Sequence, residues 1–96
     1  MKYKFEWDEE KNILNKIKHD LSFEDAVTVF DDENAVTLFD EYHSDNEERF
    51  HIIGANEEKL KITVCHCYRG ENEDIVRIIS AREATKKEIK IYYGGF

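Results

Sequence analysis

The sequence predicts an α+β fold: a single antiparallel sheet in the order β-α-α-β-β-β-β-α, with its helices gathered mainly on one face. Two observations carry this. Four stretches between residues 35 and 81 are strand-forming, repeat at a period of two and are joined by short polar connections, which is how hairpin strands with one face toward a core are written. Helical periodicity is confined to the two ends of the chain, and helices set apart from a run of strands pack on one antiparallel sheet. Such a sheet keeps its second face partly open, and that face is where function is to be sought.

Residues 3–7, YKFEW, alternate aromatic with charged side chains and read as a short strand. Asp8 is a good N-cap, and Glu9 and Glu10 suit the positive end of a helix. Ile13, Leu14 and Ile17 recur at helical spacing, so 9–19 is expected to be an amphipathic helix closed by His19. Ser22 followed by Asp25 resembles a capping box, and Phe23, Ala26, Val27 and Phe30 give a second helix over 23–30. Strands are expected at 35–40, 49–54, 61–68 and 74–81. The turns at 55–59 and 70–73 are short enough for hairpins, so the last three strands form a meander. Ser80 with Glu83 offers a further capping box, opening a final helix in REATKKEIKIYY with Ile89, Tyr92 and Tyr93 on one side. Trp7 reads as a core anchor.

Ninety-six residues make one domain, spanning 1–96 without repeat or linker. A hydrophobic content of 41% with 12% aromatics indicates a folded globule. No apolar run approaches the ~20 residues needed to span a bilayer, and no charged start leads into an apolar signal, so a soluble cytoplasmic protein without membrane contact is expected. The net charge of −8 is uneven. Residues 1–48 hold five Lys/Arg against fifteen Asp/Glu, and residues 49–96 hold nine against seven. The acidic front half argues against a general nucleic-acid coat and suits a basic partner, while a local basic cleft remains open to the back half.

Residues 63–82, TVCHCYRGENEDIVRIISAR, carry most of the chemistry. Cys65 and Cys67 would share one strand face about 6.6–7 Å apart, a poor disulfide geometry. Without a second ligand pair they do not specify zinc, and no metal or cofactor is expected. His66 points to the opposite strand face from both thiols, against a Cys/His nucleophile. The loop from His43 and Ser44 lacks the rigid turn of a serine nucleophile. Arg69, Arg77 and Arg82 remain. Arg77, set among isoleucines and valine, needs a specific partner, and arginine forks with a nearby His or Tyr suit a phosphodiester.

FEWDEEKN, KHDLSFEDAVTVFDD, HSDNEERFHIIG and HCYRG…RIISAREATKKE, in that order, resemble the BrnT toxins of bacterial type II toxin–antitoxin pairs over nearly the whole chain. The resemblance implies a RelE-like ribonuclease fold, metal-independent cleavage of RNA that arrests translation, and neutralisation by a BrnA-like antitoxin. That antitoxin is a ribbon-helix-helix protein, so operator DNA is met only through it. The family's functional arginines fall on Arg69 and Arg82, Glu71 is a weaker candidate acid or base, and His66 and Tyr68 match motif positions. On the reading of the residues, His66 or Glu71 is the expected proton carrier, and Arg77, Tyr68 and Lys61 are the substrate-binding candidates. Asp20 stands where the family usually has glycine, and the acidity is unusual for a protein that grips RNA. The alternative is a weak or inactive binding module that acts by complexing a basic partner.

Overall fold

A computed structural model of the chain describes residues 3–94. The elements run β1 (Lys4–Glu6), α1 (Glu9–His19), α2 (Phe23–Ala26), a 3-10 turn (Val27–Asp31), β2 (Val36–Asp40), β3 (Arg49–Ala55), β4 (Lys61–Arg69), β5 (Ile75–Glu83) and α3 (Lys86–Tyr92). They build one five-stranded sheet in the order β1-β5-β4-β3-β2. The last three strands form the expected antiparallel meander, and β2 extends it by pairing antiparallel with β3. The sheet as a whole is mixed, not wholly antiparallel: β1 lies parallel to β5, pairing Phe5 with Val76 and Glu6 with Arg77. α1, α2 and the 3-10 turn carry the chain from β1 at one edge of the sheet to β2 at the other, and the meander then returns it so that β5 lies beside β1.

One sheet face is the core. Ile52, Ile62, Val64, Val76, Ile78 and Ala81 pack there against Leu21, Phe23, Ala26 and Val29, with Trp7 edge-on to Phe23. Gly54 belongs to this packing, because a Cβ there would stand 2.8 Å from Val29 Cγ1. α3 sits over one end of the opposite face, where Glu88 meets Thr63 and Arg82.

Three local expectations are corrected. The second helix becomes a 3-10 turn after Ala26. Ser80 does not cap a helix, because β5 continues to Glu83; the capping box is Thr85 with Glu88. α1 is amphipathic in the reverse sense. Its Ile13, Leu14 and Ile17 are 51, 63 and 77% exposed, whereas Asn12 and Asn15 are buried. The asparagines belong inside because they satisfy backbone that no helix or ladder reaches. Asn12 Oδ1 accepts from the Phe23 amide at 2.8 Å. Asn15 donates to the Leu21 and Ala81 carbonyls, both at 2.9 Å, and accepts from the Ala81 amide at 3.1 Å. This clamp ties α1 to β5 beside a bulge.

That bulge decides which face Arg82 occupies. His66 pairs with Ile78 but Cys65 pairs with Ser80, so β5 carries one extra residue, Ile79. Strict alternation would send Arg77 and Arg82, five positions apart, to opposite faces. With the extra residue, Arg77 pairs with Cys67 and Arg82 with Thr63, and both side chains stand on the open face.

Candidate active site

The open face carries a groove of about 330 Å³ lined by Asp40, His43, Arg49, His51, Thr63, Cys65, Ile79, Ser80 and Arg82. Its geometry follows from the ladders. Asp40 ends β2 opposite Arg49, which begins β3, and His51 two residues on pairs with Cys65. Period two puts Asp40, Arg49, His51, Cys65 and Ser80 on one face.

Asp40 is the hub. Its carboxylate, 8% exposed, accepts from His51 Nε2 at 3.0 Å and from His43 Nδ1 at 2.9 Å. Burial pushes this carboxyl up, but the His43 bond and the Tyr42 amide outweigh it and hold the group below its usual range. A carboxylate only accepts, so each imidazole points an N–H at Asp40 and keeps its second nitrogen for proton traffic.

Two guanidinium groups face these histidines. Glu88 grips Arg82 through both oxygens, at 2.7 and 3.0 Å. The same carboxylate accepts from the Thr63 hydroxyl and the Thr85 amide. Burial alone would raise Glu88, yet Arg82 and these donors hold it down at about 2. Arg49 differs: among the described residues it enters no salt bridge, and its buried Nε has no hydrogen-bond partner. A guanidinium without a carboxylate, beside a second one, is suited to an anion.

The expected site residues are distributed more widely than the sequence suggested. Arg69, Arg77 and Arg82 do share the open face, but Arg69 and Arg82 stand about 20 Å apart, six residues along β4 at ~3.3 Å each. They cannot grip one phosphate. Arg69 pairs with Glu47 at 2.8 Å and Arg77 with Glu6 at 2.8 Å. Glu71 is exposed in the turn beyond Arg69. Lys61 lies at the α3 end, its ammonium 5.7 Å from the Tyr93 ring centre.

His66 and Tyr68 are on the core face, away from all three arginines. His66 is fully buried between Phe30 and Phe50. Its Nδ1 donates to the Val64 carbonyl at 3.2 Å, so Nε2 accepts from the Tyr68 hydroxyl at 3.3 Å. Burial pulls its pKa down from 6.5 to about 4. Both nitrogens are engaged on the core face, and His66 does not line the groove. Cys65 and Cys67 are free thiols, and burial raises the Cys65 thiol. Among the described residues, no three or more His, Cys, Asp and Glu are placed to hold a metal ion. Among the described residues, no helix is long and apolar enough to cross a membrane.

Arg49, His51 and Asp40 are the residues that sequence reasoning missed. The signal was available in the two expected strands 35–40 and 49–54, which place all three on one face once the 41–48 connection is read as a hairpin loop.

Comparison with known proteins agrees with this architecture. No curated protein matches the chain. A crystal structure of the Brucella abortus ribonuclease toxin BrnT superimposes with a TM-score of 0.67 at 26% identity, covering 88% of this chain and 99% of that one. The family described as the ribonuclease toxin BrnT of type II toxin–antitoxin systems matches residues 7–88. The chain belongs to the BrnT family of type II toxin–antitoxin ribonuclease toxins.

Proposed function

We propose that this chain is a metal-independent endoribonuclease whose active centre is the open-face groove. The observation that supports this most is Arg49, a guanidinium without a carboxylate partner, facing Arg82 and two histidines held by Asp40. In the reaction, the 2′-hydroxyl of the substrate attacks the adjacent phosphate. His51 takes the hydroxyl proton at Nδ1, and His43, more exposed, returns a proton from Nε2 to the departing 5′-oxygen. Arg49 and Arg82 stabilise the charge that builds on the phosphorane oxygens. The products are a 2′,3′-cyclic phosphate and a free 5′-hydroxyl. Arg77 and Arg69, further along the same face, exchange their carboxylates for neighbouring phosphates, while Lys61 lies at the α3 end.

In the cell this reading makes the chain a cytoplasmic toxin on a RelE-like frame that arrests translation. A BrnA-like ribbon-helix-helix antitoxin neutralises it and alone reads operator DNA. One specific observation favours the rival reading of a binding module: Arg69, Arg77 and Arg82 are already paired with Glu47, Glu6 and Glu88. Induction of the chain alone separates the two. Arrest of growth relieved by Arg49→Ala and Arg82→Ala, with EDTA-resistant cleavage leaving cyclic phosphate ends, is the expected result. Normal growth at confirmed expression, or cleavage that needs a divalent ion, overturns the nuclease mechanism.

A further inference from the structure

β2 is an outer strand of the sheet, and among the described residues its far edge has no neighbour. Thr37, Leu38 and Phe39 are exposed, and Val36 to Asp40 pair with β3 one-to-one without a slip. Exposed edges are ordinarily blunted by proline, lysine or a bulge, because unpaired N–H and C=O groups template another strand. β2 has none of these. The chain contains no proline, and residues 31–48 contain no Lys or Arg.

The same segment holds eight Asp and Glu residues. Asp32 and Asp40 serve internal hydrogen bonds, and Glu47 holds Arg69. Asp31, Glu33, Glu41, Asp45 and Glu48 are exposed and enter no salt bridge among the described residues. This charge selects the occupant. A second copy pairing antiparallel through β2 would bring 31–33 of one chain against 40–48 of the other, carboxylate on carboxylate. A basic strand would meet opposite charge at both ends.

We propose that the edge of β2 docks a basic polypeptide segment in extended form, adding it to the sheet as a sixth strand. Ladder hydrogen bonds give the affinity, and alternate apolar side chains of the segment pack beside Leu38 on the open face and beside Phe39, which meets Phe50 edge-to-face, on the other. Where the reading of the groove also holds, the added strand stands against Asp40 and His43 and narrows access to it. Docking and catalysis are measured separately, so either idea can fail alone.

The test pans a displayed library of random peptides of about a dozen residues on the full chain, then maps a selected peptide by amide chemical shifts. Selected peptides are expected to carry net positive charge with alternating apolar residues, and to shift the amides of residues 36–40 most. Leu38→Pro should weaken binding about tenfold or more. Because proline can disturb the sheet, the triple variant Glu41→Gln, Asp45→Asn, Glu48→Gln, which leaves the edge intact, should also weaken binding about tenfold. Peptides without net positive charge, shifts centred away from β2, or affinity unchanged in both variants would overturn the proposal.

Discussion

Asp40 and Arg49 stand directly opposite each other across the β2–β3 ladder and do not form an ion pair. The carboxylate turns to His43 and His51 instead, and the guanidinium keeps a buried Nε without a partner. A structure built for stability alone would join them. Arg49→Met should therefore leave the chain as stable as before, or up to about 1 kcal/mol more so, since an unsatisfied buried donor is removed. The same change should cut RNA cleavage about 10²–10³-fold. Thermal melting and single-turnover cleavage on one preparation check both halves.

Arg82 should behave differently, because Glu88 holds it. Arg82→Ala removes the guanidinium proposed to meet the phosphate and also strands Glu88, so both activity and stability should fall. Glu88→Gln keeps the shape but breaks the charge pairing. The folded pKa of Glu88, about 2, lies below its ordinary 4.5. Its contribution to stability is therefore present above about pH 4.5 and lost as pH falls toward 2. Urea midpoints across that window should slope less steeply in the Glu88→Gln variant than in the parent chain, the remaining slope coming from other lowered carboxyls such as Asp40.

Part of this was legible in the sequence. Period-two alternation placed four strands, and the arginines of the last hairpin drew attention to the face they share. The sequence does not announce the extra residue Ile79 that brings Arg82 beside Arg77, since a bulge changes pairing without changing composition. Nor does alternation say which side of β4 faces the helices, so His66 and Tyr68 read as neighbours of Arg77 although they line the core. α1 misled for a related reason. An amide that satisfies three backbone groups outranks an aliphatic side chain for an inside position, and periodicity counts only the aliphatics.

His66 gives a second window of acid sensitivity. Its folded pKa of about 4 lies below the ordinary 6.5. Above about pH 6.5 both folded and unfolded chains hold it neutral. Between 6.5 and 4 the unfolded chain binds a proton that the folded chain refuses, so stability falls by about 3 kcal/mol over that interval. His66→Phe should abolish this slope. It should also keep cleavage within about threefold, because His66 does not reach the groove. A large loss of cleavage by a folded His66→Phe chain would return the proton-carrier role to His66.

The reversed α1 predicts opposite sensitivities for adjacent positions. Asn15→Leu adds a residue of the type usually placed inside, yet it leaves two carbonyls and one amide unpaired in the core, and should destabilise by about 3 kcal/mol or more. Ile17→Ser removes an aliphatic side chain from a helix and should change stability by no more than about 0.5 kcal/mol, since Ile17 is 77% exposed. Denaturant titrations of the two variants should give this inverted order.

Asp20 closes α1 with φ at 57°, in the left-handed region, its amide bonded to the Lys16 carbonyl at 2.9 Å. That conformation is strained for a residue with a Cβ and free for glycine. The carboxylate also lies at the negative end of the helix dipole, where a negative charge is unfavourable. Both effects point the same way, against the extra unfolded-state entropy that glycine brings. Asp20→Gly should therefore raise stability by about 0.5–1 kcal/mol, a few degrees in Tm for a domain of this size. Cleavage should be unchanged, because α1 packs behind the sheet. A lower Tm would show that the Asp20 carboxylate makes a contact worth more than the strain it imposes.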